Sequence, residues 1–146
     1  SAAADASAAG ASFGGAVIAV IDDESTVVEG RRAWLAQSGA MVIGAASGED
    51  MLAALGQCGR YPDLIVADYR LAGGAVGTDA VALLRHELGM HIPAMLISGD
   101  SSTEALSAMR ASSMHVLLKP VLPRELHLLV ERLLAHGDAH ATVEHV

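Results

Sequence analysis

Five short apolar runs, "AVIAVI", "MVIGAA", "DLIVAD", "AMLIS" and "HVLLK", recur along the chain, each followed by a segment of helical length. Uninterrupted apolar runs of that size suit strands buried on both faces, which is the condition of a parallel sheet whose crossovers are helices. The pattern predicts an α/β fold: a doubly wound five-stranded parallel sheet between two helical layers, a three-layer sandwich.

With 146 residues, the chain has room for one domain with its own core. Residues 1–15, almost all Ala, Ser and Gly, have the composition of a flexible linker. The packed domain is expected over 16–137, with a disordered tail over 138–146. Aromatic residues supply only 3% of the sequence, so Val, Leu, Ile, Ala and Met must build the core.

A formal net charge of -8 argues against a surface for nucleic acid, which needs clustered Lys and Arg. The single Cys58 excludes an internal disulfide and a multi-cysteine metal site. The opening segment lacks a basic start and carries Asp5, unlike an export signal, and no window approaches the roughly 18 apolar residues of a membrane span.

Helix signals fall between the runs. Ser25 is expected to cap the first helix, with Trp34 in the core and Gly39 as its left-handed stop. "SGED" from Ser47 and "SSTE" from Ser101 match capping boxes, Thr78 or Asp79 begins the third helix, and Pro123 suits the first turn of the last.

In such a sheet the loops at the carboxyl ends of the strands share one crevice. Those ends carry Asp22 and Asp23, then Asp68, Ser98 and Lys119, while the second strand ends in the unreactive "GAAS". Three converging carboxylates repel one another unless a cation joins them. Oxygen-only ligands suit Mg2+ better than zinc, and the seven histidines form no ligand cluster in the sequence. A carboxylate nucleophile, a metal ion, a lysine and a hydroxyl together suit phosphoryl transfer to an aspartate.

The motifs "VIDDE", "PDLIVADYRL", "LISGD" and "LLKP" resemble those of response regulator receiver domains, over about residues 16–136. The resemblance implies the flavodoxin-like, CheY-like strand order 2-1-3-4-5. It implies Asp68 as phosphoacceptor, Asp23 as direct Mg2+ ligand, Asp22 as indirect support and the Arg70 carbonyl as a further ligand. Ser98 and Lys119 match the hydroxyl and lysine that meet the phosphoryl group, and Pro120 matches a proline after a cis bond. Gly99, Asp100, Val116 and Pro120 fall at switch or modulating positions. The family's usual Tyr or Phe, three residues before the lysine, is here Val116, and neighbouring His115 should face the other side of the strand. Arg70 and Asp100 carry opposite charges at the pocket mouth and are expected to pair.

"DYRL", "LISGD" and "LLKPVLPREL" further resemble carboxyl-terminal receivers of hybrid sensor histidine kinases. The implied partner is a histidine kinase or histidine phosphotransfer domain in the cytoplasm, with no contact to nucleic acid or membrane and no multiple-turnover activity in this domain alone. The alternatives are a free-standing response regulator, a phosphate-independent docking module, and a haloacid-dehalogenase-type phosphohydrolase. The last requires a D-x-D arrangement that "DDES" lacks.

Overall fold

Each apolar run forms a strand, because only a sheet covered on both faces removes five to six consecutive apolar side chains from water without leaving backbone groups unpaired. The computed structural model describes residues 13–136 and 143–144. In chain order the elements are β1 (Val17–Ile21), α1 (Ser25–Gln37), β2 (Met41–Ala45), α2 (Gly48–Cys58), β3 (Leu64–Asp68), α3 (Gly77–Leu88), β4 (Ala94–Ser98), α4 (Thr103–Ala111), β5 (His115–Leu118), α5 (Pro123–His136) and β6 (Val143–Glu144). The sheet is parallel in the order β2-β1-β3-β4-β5, as expected, with the two-residue β6 added beside β5.

Alternation along each strand sorts the core into two clusters. Ile21, Ala67, Leu96 and Val116 face one layer with Met51 of α2, Leu84 of α3 and Met109 of α4. Val20, Val66, Ile97 and Leu117 face the other, with Leu35 of α1 and Leu129, Val130 and Leu133 of α5. Each such side chain contributes roughly 1.5–3 kcal/mol relative to exposure. β1, β3, β4 and β5 are buried throughout, whereas β2 at the edge is only partly covered.

Several local expectations shift by a residue or more. Glu24 rather than Ser25 occupies the N-cap of α1, and its N–H donates to Asp22 Oδ1 at 3.0 Å. Ser47 caps α2 as expected, accepting from the Asp50 N–H, but α4 is capped by Ser102, not Ser101, through the Ala105 N–H. α3 begins at Gly77, ahead of Thr78. Trp34 is half-buried, packed against the second cluster and lining a surface groove.

The amino-terminal boundary also moves. Phe13, assigned by composition to the linker, is 3% exposed; its ring lies 4.9 Å from that of His127 and its N–H donates to the Ser38 carbonyl. The packed unit thus extends to residue 13, and the rest of the linker expectation, 1–12, lies outside the described residues. Within the expected tail, residues 143–144 are strand β6, and 138–142 and 145–146 lie outside the described residues. Among the described residues no helix is long and apolar enough to cross a membrane.

Candidate functional site

Parallel strands deliver their carboxyl ends to one rim of the sheet. β1 leads directly into Asp22 and Asp23, and β3 ends on Asp68, so strand register itself brings the acids together. Asp22, Asp23 and Asp68 each offer a carboxylate oxygen, all within 4.8 Å of one another. Asp22 and Asp68 are buried, and Asp23 is exposed. From the end of β5, Lys119 Nζ comes to 3.4 Å from Asp68 Oδ1. The four residues that the sequence assigned to three strand ends therefore share one cup.

Burial raises the proton affinity of Asp68, and the Asp22 carboxylate raises it further; Lys119 and then Arg31 act in the opposite sense. The two cations offset part of that penalty, as a metal ion at the carboxylates would. The oxygen-only donor set and its clustered charge fit a hard divalent ion such as Mg2+.

Arg31 escaped the reading of the sequence. Its Nη1 lies 2.9 Å from Asp22 Oδ2, with only 13% of the Arg31 side chain and 1% of the Asp22 side chain exposed. The signal was present: Arg31 interrupts the apolar stripe of α1, three residues after buried Val28 and four before buried Leu35.

Ser98 is buried at the same rim, but its hydroxyl is engaged by its own loop. It accepts the Asp100 N–H at 3.0 Å and donates to the Asp100 carbonyl at 3.1 Å. Gly99, between them, faces only the Lys119 stem, since an added Cβ would meet Lys119 Cδ at 3.6 Å. The Lys119-Pro120 bond is cis.

At the mouth, Arg70 Nη2 and Asp100 Oδ2 pair at 2.7 Å, with the guanidinium over the Tyr69 ring. The Arg70 hydrogen bond, aided by the Ser102 N–H, lowers the Asp100 pKa to about 2. Arg70 also bridges antiparallel to Val76, folding the β3–α3 loop back on itself. Gly77 then packs against the Asp68 carbonyl so closely that a Cβ there would collide with it.

Val116 is fully buried in the core rather than at this rim. At the rim itself a hollow of about 380 Å³ is lined by Ser98, Gly99, Ser101, Leu106, Leu118 and Lys119, among others. His115 is buried too, and the alternation of Val116 and Leu117 between the two clusters puts it on the opposite side of β5 from Val116.

The sequence profile of the response regulator receiver domain matches residues 18–131. Among solved structures, a response regulator receiver domain protein from Clostridium thermocellum is similar, with TM-score 0.69 and 23% identity over 82% of this chain and 94% of that one. The chemotaxis protein CheY4 of Vibrio cholerae gives TM-score 0.70 and 23% identity over 80% of this chain and 97% of that one. The receiver domain of Francisella response regulator 1452 gives 0.69 and 22% over 82% and 97%. At these identities the likeness to solved structures speaks for the fold. No curated protein matches the sequence.

Proposed function

This chain belongs to the response regulator receiver domain family of two-component systems, and from that premise we propose that it is a phosphorylatable switch with Asp68 as the acceptor. The observation that carries the reading is the Asp22–Asp23–Asp68 cluster with Lys119 on Asp68. Asp23, Asp68 and the Arg70 carbonyl would hold Mg2+, with Asp22 in support; the ion supplies neutralisation of oxygen charge during transfer.

The donor is a phosphohistidine on a histidine kinase or a phosphotransfer domain. A carboxylate oxygen of Asp68 forms its bond to phosphorus while the P–N bond of the donor breaks, leaving the electron pair on the imidazole nitrogen. Lys119, already beside the carboxylate, passes to the phosphoryl oxygens. The Ser98 hydroxyl exchanges the Asp100 carbonyl for a phosphoryl oxygen, a rotation of one side chain. In the return step water attacks phosphorus, the O–P bond breaks, and inorganic phosphate and the Asp68 carboxylate are released. The Arg70–Asp100 pair across the mouth restricts that water, so Arg70→Ala is expected to shorten the phosphoryl half-life several-fold; an unchanged half-life in an autodephosphorylation assay removes this role.

The motifs "DYRL", "LISGD" and "LLKPVLPREL" support a place as a receiver in a hybrid sensor histidine kinase, in the cytoplasm, rather than as a free-standing regulator. Signal output passes through the Ser98–Gly99–Asp100 loop and the Lys119–Pro120 loop, without the aromatic side chain that Val116 replaces. Incubation with acetyl phosphate and Mg2+ followed by intact-mass analysis tests the core of the proposal. One added phosphate on Asp68 supports it, continuous phosphate release favours a hydrolase, and no reaction favours a docking module.

A further inference from the structure

Arg31 is a cation of the site that neither the strand ends nor the receiver motifs supply. It reaches in from α1, on the stripe between Val28 and Leu35, and its ion pair with Asp22 is almost wholly removed from water. The other Asp22 oxygen already accepts the Glu24 N–H. Both oxygens of the deepest acid are therefore engaged by donors of this chain. With Lys119 on Asp68, two cations face the three carboxylates before any ion is counted.

We propose that Arg31 is a resident counter-charge: it holds Asp22 as a support rather than a direct metal ligand, and keeps the divalent-cation affinity of the crevice low. The inference rests on the receiver reading, in which Asp23 and Asp68 hold Mg2+. Its physical basis is repulsion between a fixed guanidinium and an incoming dication in a poorly solvated site, where counterions of the solvent screen little. A guanidinium whose role was confined to packing would leave ion affinity unchanged when replaced by a side chain of similar size that still donates to Asp22.

Arg31→Gln is that replacement, because its amide retains a donor and loses the charge. The test measures Mn2+ binding by loss of the free-ion EPR signal, and Mg2+ by competition, on the full 146-residue chain. Arg31→Gln is expected to bind both ions about five- to tenfold more tightly than the unmodified chain, and Arg31→Lys within about twofold of it. Asp22→Asn/Arg31→Gln, which removes the pair with no change in net charge, is expected to stay within about threefold. Unchanged or weaker binding by folded Arg31→Gln overturns the proposal. So does a greater loss in the double variant, which would make Asp22 a direct ligand. If circular dichroism shows Arg31→Gln unfolded, the double variant is compared with Asp22→Asn alone: about five- to tenfold tighter binding by the double variant supports the proposal and equal binding overturns it. Absence of any Mn2+ or Mg2+ binding by the unmodified chain strikes at the receiver reading itself, whereas binding that ignores Arg31 strikes only at this inference.

Discussion

Desolvation and the Asp22 carboxylate hold the Asp68 proton more tightly in the folded chain than on an ordinary solvated aspartate, despite Lys119 and Arg31. For a carboxyl raised in this way, the linked stability is present below the unfolded pKa and is lost as pH rises through the folded one. Above the ordinary carboxylate range Asp68 therefore costs the fold stability. Asp68→Asn, in EDTA at pH 7.5, is expected to raise the Tm by a few degrees while abolishing labelling by acetyl phosphate, and the stability gain should shrink as pH falls into the carboxylate range. Thermal denaturation across pH checks both the sign and the window. Asp100 behaves in the opposite sense: depressed to about 2 by Arg70, it stays ionised, and its pair stays formed, until strong acid. These acids and Lys119 were legible because each ends a strand. Arg31 was not, since a charge within a helical stripe reads as solvated unless the far side of that stripe is known to be a crevice.

Helices and strands set how firmly those side chains are aimed. α3 starts against the end of β3, with the Gly77 N–H donating to the Tyr69 carbonyl at 2.7 Å and no room for a Cβ beside the Asp68 carbonyl. Gly77→Ala must push the helix start and Asp68 apart. It is expected to cost about 1–3 kcal/mol by urea denaturation and to slow Asp68 phosphorylation several-fold as well. Ser102→Ala, which removes the cap of α4, is expected to cost about 1 kcal/mol. The strands could be read from the sequence because burial on both faces leaves an unbroken apolar run. Helix starts could not be fixed as well: Ser101 and Ser102 both have the chemistry of a cap, and it is the Ser102 hydroxyl that accepts the Ala105 N–H.

At the scale of the whole molecule, one sheet separates two apolar layers, and ligands at its rim bind the folded chain alone. Mg2+ with beryllofluoride, an acyl-phosphate mimic, is expected to stabilise the unmodified chain by about 2.7 kcal/mol at a hundredfold excess over its dissociation constant, and Asp68→Asn far less. Thermal shift against ligand concentration gives the measurement. Overall architecture was readable from alternating runs, yet the boundary at Phe13 was hidden because a lone aromatic among Ala, Ser and Gly resembles linker until a cavity is known to receive it.

The turn at Phe13 hydrogen-bonds to the loop after α1, and α5 runs back from the Lys119 loop, so the described body starts and α5 finishes at the margin opposite the acidic cup. The described body thus begins, at Phe13, on the margin away from Asp68, whereas β6, parallel to β5, carries the chain back toward the rim. Entry at that margin keeps the first turn clear of the acidic cup.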